Sequence, residues 1–169
     1  MKPALRLEII QSLPELEALH RQLELLAKSC NAGAFDRPGF FLPWVRAAVA
    51  TGQRPACLCL FRGTGLKGFL PLFFRRDRKA LLAQRGGFPV FGSSPAFDLL
   101  LAPSEDEAGA CALLVQALKQ QRWLDLCFAN LPEGSRLNRC LSRAFLQRGF
   151  EVNSLPGQSY LAIDGFKDS

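Results

Sequence analysis

Apolar and polar positions in the first part of the chain recur with two different periods. Residues 4–10 alternate between apolar and polar before an apolar run, which predicts an opening β-strand. Ser12 and Glu15 have the spacing of a capping box, so a helix is predicted to begin there. Apolar residues then recur three and four positions apart over about four to five turns, which predicts one helix with a single apolar stripe. The stripe consists of Leu13, Leu16, Leu19, Leu23, Leu26 and Cys30.

A second helix and a hairpin are predicted next. The helix extends from about Gly39 to Thr51, and its predicted buried side carries Phe40, Phe41, Trp44, Val45 and Ala48. Two apolar runs over about 54–62 and 66–75 flank Gly63-Thr64-Gly65, a short glycine-containing loop that predicts a β-hairpin. Pro71 donates no ladder hydrogen bond, so a bulge or an edge position is predicted there.

The second half of the chain alternates predicted strands and helices. After a charged turn and a Gly/Pro/Ser-rich loop within 76–96, strands are predicted at about 97–102, 123–129, 149–155 and 158–164. Ser104 and Glu107 form a second capping box, which opens a helix to about Gln121, and a further helix covers 135–148. The predicted order is therefore β-α-α-β-β-β-α-β-α-β-β.

Composition is that of one globular domain. The chain has 169 residues, of which 49% are hydrophobic, and no apolar run approaches the roughly 18 residues of a membrane span. Its six cysteines include no CxxC motif, and one histidine cannot complete a familiar zinc site. Five cysteines lie among aliphatic neighbours, where a free thiol behaves as a small buried hydrophobe. We therefore expect free thiols, no metal and a cytoplasmic protein.

The net charge of +6 leaves two interpretations open. Such a charge would suit an acidic partner, namely a nucleic acid, a membrane surface or a nucleotide cofactor. It is also typical of an arginine-rich solvated surface. Since no recognised nucleic-acid motif is present, the solvated surface is favoured, and binding to nucleic acid or membrane is disfavoured.

Four stretches of the sequence carry a family resemblance. They are Phe40-Phe41-Leu42-Pro43-Trp44 ahead of a helix, Gly68-Phe69-Leu70-Pro71-Leu72 ahead of basic residues, Trp123-Leu124-Asp125-Leu126, and the segment NLPEGSRL from Asn130 to Leu137. Together with the element order, they resemble the amino-terminal half of CelD-type acetyltransferases. That group belongs to the GNAT superfamily of acyl-CoA N-acyltransferases and is linked with cellulose and exopolysaccharide biosynthesis.

The resemblance implies an α/β (α+β) fold with one mixed, mostly antiparallel central sheet. About seven strands and about four flanking helices are expected, with residues 1–169 as a single GNAT-like domain. It further implies acetyl-CoA or another acyl-CoA as cofactor. Members of the group usually carry two GNAT-like halves, so the expected partner is a second GNAT-like domain or, failing that, a second copy of this chain.

The pyrophosphate-binding turn that the resemblance implies departs from the family pattern. GNAT proteins usually hold the cofactor's pyrophosphate with a basic, glycine-rich turn between the fourth strand and the next helix, where backbone N–H groups point at the anion. This chain has Ala102-Pro103-Ser104-Glu105-Asp106-Glu107-Ala108-Gly109 at that place. Pro103 supplies no N–H group, and the three acidic residues repel a phosphate. This departure argues against ordinary CoA binding.

Few residues remain as candidates for a site. Gln84, Arg85, Gly86 and Gly87 could form a displaced phosphate turn or a plain loop, and Asn130 ends the fifth predicted strand, near where the cofactor enters GNAT proteins. Glu8, Asp98 and Asp125 lie in or beside predicted strands, where partial burial could tune a catalytic base. His20 is the single histidine and Tyr160 the single tyrosine. The catalytic residues therefore stay unknown, and no metal site is predicted.

Three functions follow from these observations. The favoured one is a non-catalytic or substrate-holding GNAT-like half that works with a second GNAT-like domain. The second is an active acyl-CoA-dependent N-acyltransferase whose site is non-standard or completed by dimerisation. The third, a binder of nucleic acid or of a membrane surface, depends on the +6 charge alone.

Overall fold

The computed structural model describes residues 3–76, 84–87, 97–120, 125–127, 131 and 134–147. The helices are α1 Leu13–Ala18, α2 His20–Ser29, α3 Pro38–Ala50, α4 Glu107–Gln120 and α5 Arg136–Leu146, and a short 3-10 turn covers Ala34–Asp36. The strands are β1 Leu5–Ile10, β2 Arg54–Pro55, β3 Cys57–Arg62, β4 Gly65–Leu70, β5 Phe73–Arg76, β6 Gln84–Gly87, β7 Leu100–Leu101 and β8 Asp125–Cys127. The predicted strands at 149–155 and 158–164 lie outside these ranges.

The helix predicted from Leu13 to Cys30 is two helices. The Ser12 hydroxyl accepts a hydrogen bond from the Glu15 N–H, so the predicted start is confirmed. The helix is interrupted at Leu19, which links α1 to α2. Helix α1 contacts α3, whereas α2 packs on β4 and β7. The break lets each segment follow its own neighbour, and the segments still share the predicted apolar stripe, with Leu16, Leu23 and Leu26 buried.

Two residues on the predicted buried side of helix α3 are not buried. Phe41, Val45 and Ala48 are buried as predicted, but Phe40 is 37% exposed and Trp44 is half-buried. A helix turns about 100° per residue, so Phe40 lies beside the face that Phe41, Val45 and Ala48 share rather than within it. Its ring instead meets the ring of Phe35 edge-on, with the ring centroids 4.8 Å apart.

One long hairpin, β2–β3 against β4–β5, connects two sheets. Leu58 pairs with Leu70 and Pro55 with Phe73, so the same register continues across the gap between the strands. The Ala56 N–H donates to the Leu72 carbonyl over 2.7 Å, which carries the pairing through that gap. Strand β4 ends just before Pro71, where a bulge or an edge position is predicted, and β5 begins at Phe73.

The single sheet of about seven strands is a wrong prediction. The described strands form two four-stranded sheets, ordered β1-β3-β4-β7 and β2-β5-β6-β8. The reason lies in the interrupted hairpin. Before Pro71 its outer edge pairs with β7, and after Pro71 the same edge pairs with β6, antiparallel in both cases. The described helices number five rather than about four, because the first predicted helix is divided. The architecture is a mixed α/β fold with antiparallel sheet.

The core lies between the helices and the first sheet. Leu58, Leu60 and Leu70 of the hairpin are fully buried. The ring of Phe41 from α3 meets Phe69 and Phe97 edge-on, at centroid distances of 5.3 Å and 5.6 Å. These contacts fix α3 against β4 and the approach to β7. No helix in the described part of the chain is long and apolar enough to cross a membrane.

The cysteine prediction needs one correction. Cys111 of α4 and Cys140 of α5 form a disulfide, with their Cα atoms 6.2 Å apart. No local pattern predicts this bond, because 29 positions separate the two residues and neither belongs to a recognised motif. Cys57 and Cys59 are free and buried, as expected. Burial raises the pKa of the Cys57 thiol to about 12, so it is held protonated.

Candidate functional site

The N-terminus of α4 is where the sequence resemblance would place a bound pyrophosphate. The Asp106 carboxylate accepts hydrogen bonds from the N–H groups of Ala108 at 3.1 Å and Gly109 at 3.0 Å. The Asp106 carbonyl accepts from the Ala110 N–H at 3.0 Å, so Asp106 is the capping residue. The Ser104–Glu107 capping box was therefore a wrong prediction. A carboxylate of the chain itself occupies the N–H groups that an anion would need.

Gly109 makes room for this carboxylate. A Cβ atom at position 109 would lie 2.6 Å from Asp106 Oδ2, well inside van der Waals contact. The glycine therefore lets the carboxylate lie close over the first turn of α4.

Glu105, the preceding acid, points inward. Its side chain is 3% exposed and its oxygens contact the Arg62 guanidinium, with Nε–O distances of 3.2 Å and 3.1 Å and an Nη2–Oε2 distance of 2.5 Å. Arg62 also donates to the Pro3 carbonyl. The pair ties the loop before α4 to the end of β3. Glu105 thus neutralises a cation that could otherwise have faced a phosphate.

A second carboxylate occupies the N-terminus of α5. Asp98 accepts hydrogen bonds from the Ser135 hydroxyl at 2.9 Å and from the N–H groups of Arg136 and Leu137, both at 2.8 Å. Ser135 in turn accepts from the Asn138 N–H at 3.2 Å. Asp98, a candidate base in the sequence, therefore acts as a helix cap across 38 positions of chain. No local pattern predicts this contact.

Asp36 is a titratable residue that the sequence analysis did not select. Its Oδ1 accepts a hydrogen bond from the Asp98 N–H at 3.2 Å. The pKa of Asp36 is raised from 3.8 to about 6, chiefly by burial and to a lesser extent by the nearby Asp98 charge, while the hydrogen bond from the Asp98 N–H lowers it. A carboxyl with such a pKa can exchange a proton near neutral pH. Its position in the 3-10 turn before α3 gave no sequence signal.

The cofactor-binding residues predicted from the sequence are only partly described. Gln84–Gly87 form strand β6 rather than a loop, paired with β5 on one edge and with β8 on the other. In register, Arg85 lies between Arg75 and Asp125. Because β6 pairs on both edges, its backbone N–H and C=O groups are used for hydrogen bonds within the sheet. The side chains of β6 and all of Asn130 lie outside what the structure describes, so their ligand contacts remain predictions.

The other candidates lie apart. Glu8 is on β1 and forms an ion pair with Arg6, and His20 is exposed at the start of α2. For Asp125 the structure gives the backbone in β8, and Tyr160 lies outside the described residues. Among the described residues, no group of three His, Cys, Asp or Glu side chains could hold a metal ion. The structure thus gathers two carboxyls, Asp36 and Asp98, beside α5.

Comparison with known proteins gives the fold. No family model matches the sequence, and no curated protein matches it. Solved structures of acetyltransferases do match. An aminoglycoside acetyltransferase, HMB0005, from an uncultured soil metagenomic sample has a TM-score of 0.59 at 12% identity, over 94% of this chain and 99% of that one.

Two further structures agree. The aminoglycoside N-acetyltransferase AAC(6')-Iy, in complex with CoA, has a TM-score of 0.57 at 14% identity, over 96% of this chain and 99% of its own. The ribosomal-protein-alanine N-acetyltransferase from Brucella melitensis biovar Abortus 2308 has a TM-score of 0.53 at 13% identity, over 95% and 99%. At such identities the likeness is one of fold, and this fold is that of the GNAT acetyltransferases.

Proposed function

We propose that this chain, with its GNAT acetyltransferase fold, is a non-catalytic or substrate-holding half that works with a second GNAT-like domain. One observation carries the proposal. The Asp106 carboxylate takes the N–H groups of Ala108 and Gly109, the place at which the resemblance implies a pyrophosphate. A phosphate there would have to displace an internal cap and approach a negative charge.

The surrounding charges support the same proposal. Glu105 holds Arg62 in an ion pair, and Glu107 lies 3.4 Å from the Arg136 guanidinium. The two arginines described beside this helix end are therefore paired with carboxylates of the chain. Arg136 also donates to the Leu101 carbonyl at 2.6 Å, which directs it toward β7. A dianionic pyrophosphate would find little free positive charge here.

The partner is proposed from the resemblance to CelD-type acetyltransferases. In that group two GNAT-like halves occur together, and a half without a phosphate site would contribute surface or acceptor-substrate contacts. The solved acetyltransferases match over about their whole length, which supports treating this chain as equivalent to one GNAT unit. A link with exopolysaccharide biosynthesis, and a cytoplasmic location, belong to this same proposal.

A thermal-shift titration with acetyl-CoA and with free CoA tests the proposal. We expect no shift of the melting temperature at millimolar ligand. A ligand bound at 100-fold above its Kd would add about 2.7 kcal/mol of stability, which is roughly 5–10 °C for a domain of this size. A CoA-binding acetyltransferase measured in the same plate is the positive control. A saturable rise in the melting temperature of this chain would overturn the proposal.

The second candidate is an active acyl-CoA-dependent transferase with a non-standard or dimer-completed site. What favours it is that the three compared structures are acetyltransferases, and one of them is in complex with CoA. A saturable shift in the titration would put this candidate first. The same titration repeated over a range of protein concentrations would then separate a site within one chain from one that two copies share.

A further inference from the structure

The disulfide between α4 and α5 has two unequal ends. The Cα atoms of Cys111 and Cys140 lie 6.2 Å apart, within the range that disulfides span. Cys111 is 3% exposed in the core face of α4. Cys140 lies on α5 and is half-buried. A thiol arriving from solvent can therefore reach the sulfur of Cys140 before that of Cys111.

One exposed cation adjoins Cys140 on α5. Arg136 and Arg143 lie four residues before and three residues after it, the spacings that bring side chains together on a helix surface. Arg143 is exposed, whereas Arg136 donates to the Leu101 carbonyl and Arg139 to the Gly134 carbonyl. The acid on the facing helix is Glu107, which forms an ion pair with Arg136 at 3.4 Å. Cations beside a cysteine stabilise its thiolate, which is the reactive form.

The other cysteines whose side chains the structure describes lack these features. Cys57 and Cys59 are buried in β3, where burial raises the pKa of both thiols. Cys30 ends α2, next to Ser29, and is half-buried. Cys140 differs from these three because it combines partial exposure, the neighbouring Arg143 and a partner sulfur in contact.

We propose that Cys111 and Cys140 form a reversible redox site that exchanges with a small anionic disulfide of the glutathione class. In the oxidising direction the Cys140 thiolate attacks the small disulfide and expels one small thiolate, leaving a mixed disulfide on Cys140. The Cys111 thiolate then attacks the Cys140 sulfur and expels the second. Two electrons pass from the cysteine pair to the small disulfide, and the two thiol protons go to the two released thiolates.

The Cys111–Cys140 disulfide occurs in a chain in which Cys30, Cys57 and Cys59 are free thiols, as a reversible disulfide could. Disulfides that persist as structural staples belong to oxidising compartments, whereas those in reducing compartments are usually transient or sensing. Formation of the bond would tie α5 to α4 next to the Asp98 cap and the Arg136–Glu107 ion pair. The oxidised chain should accordingly resist unfolding more than the reduced one.

Trapping of the mixed disulfide tests which sulfur is attacked. In a Cys30→Ser background, Cys111→Ser is incubated with oxidised glutathione, and the product is mapped by peptide mass spectrometry. We expect one glutathione on the Cys140 peptide. The matched variant Cys140→Ser should carry none on Cys111, because that thiol is buried. Equal labelling of Cys111 and Cys140, or no labelling of Cys140, would overturn the proposal.

Wild-type protein tests reversibility without any substitution in the pair. It is equilibrated in mixtures of reduced and oxidised glutathione at millimolar total concentration, quenched by alkylation and mapped in the same way. We expect the fraction of Cys111–Cys140 disulfide to rise through the series and the melting temperature to rise by roughly 10 °C with it. A bond that never forms, or one that persists in reduced glutathione alone, would overturn the proposal.

Discussion

At the scale of single residues, carboxylates of the chain itself fill the N-termini of α4 and α5. Asp106 caps α4 and Asp98 caps α5. Negative charge at a helix N-terminus is stabilising because it meets the positive end of the helix dipole. The interaction that attracts a phosphate to a helix N-terminus here stabilises the folded chain, because the anion is one of its own side chains. Asp106 of the acidic turn therefore stabilises the start of α4.

Asp36 gives a prediction at this scale. Its pKa is raised from 3.8 to about 6, so the folded chain holds the proton more tightly than the unfolded chain does. The stability that this proton contributes is complete below about pH 4 and is lost as the pH rises through about 6. Asp36→Asn removes the titration but keeps an oxygen that can accept from the Asp98 N–H. We expect the variant to gain about 1–2 kcal/mol relative to wild type between about pH 4 and pH 8.

Urea unfolding of the variant and of wild type, at about pH 4 and at about pH 8, measures that gain. The figure is set below the full value of the pKa shift because Asp36 is partly exposed, and solvent screens its charge. The free energy of unfolding of the variant should rise relative to that of wild type as the pH increases. An equal difference between the two proteins at both pH values would show that Asp36 does not titrate in this range.

At the scale of elements, local chemistry predicted starts and stops well but missed one division and one cap. Ser12 caps α1 as predicted, and α3 begins at Pro38, one residue before the predicted start at Gly39. At α4 the predicted cap is Ser104, whereas Asp106 caps the helix. The break at Leu19 has no glycine or proline to announce it, and it accompanies the packing of α2 on β4 and β7 as well as on α3.

The hairpin gives the prediction at this scale. A Cβ atom at Gly68 of β4 would lie 2.8 Å from Leu60 Cδ1 and 3.3 Å from Leu101 Cδ1. Both leucines are fully or almost fully buried, so they have little room to move. We expect Gly68→Ala to destabilise the protein by about 1–3 kcal/mol through overpacking, as measured by urea unfolding.

Gly39→Ala is the matched control for that substitution. Gly39 lies in the first turn of α3, and a Cβ atom there would meet nothing within 4 Å. Alanine is a better helix residue than glycine, so this variant should be neutral or more stable by up to about 1 kcal/mol. Equal losses in both variants would mean that the close approach of β4 to β3 and β7 is absent.

At the scale of the whole molecule, a few long-range polar contacts set how the helices meet the sheets. Arg62, at the end of β3, reaches Glu105 before α4 and also the Pro3 carbonyl ahead of β1. Asp98 reaches α5, and Arg136 reaches back to the Leu101 carbonyl of β7. These contacts join segments from both halves of the chain around the candidate site.

Glu105→Gln is the prediction at this scale. The side chain of Glu105 is 3% exposed and that of Arg62 is 25% exposed, so the substitution replaces a buried carboxylate that faces a partly exposed guanidinium with a neutral amide. The charge-assisted hydrogen bonds to Arg62 are weakened, so this variant should unfold more easily than wild type. Chemical denaturation of the variant measures the loss in unfolding free energy.

Glu107→Gln is the matched control two positions along. Its side chain is 47% exposed, and its ion pair with Arg136 should contribute below about 1 kcal/mol. Both variants remove one negative charge near the start of α4, but only Glu105 is buried. A difference in stability between them therefore reports the effect of that burial. A Glu105→Gln protein as stable as Glu107→Gln would contradict the role assigned to the Arg62–Glu105 pair.

The sequence by itself predicted β1, α3, α4, α5, the hairpin with Pro71 as an exceptional position, and the acidic character of the turn before α4. Those features depend on hydrophobic periodicity, on the missing N–H group of Pro71 and on charge, and each of these can be recognised from neighbouring residues in the sequence. Tertiary structure alone decided the division into two sheets, the Cys111–Cys140 bond and the contact of Asp98 with the start of α5. Asp98 and Cys140 act through partners 29 or more positions away. Such contacts exist only once the chain has folded, because only folding brings distant groups within hydrogen-bonding or covalent reach.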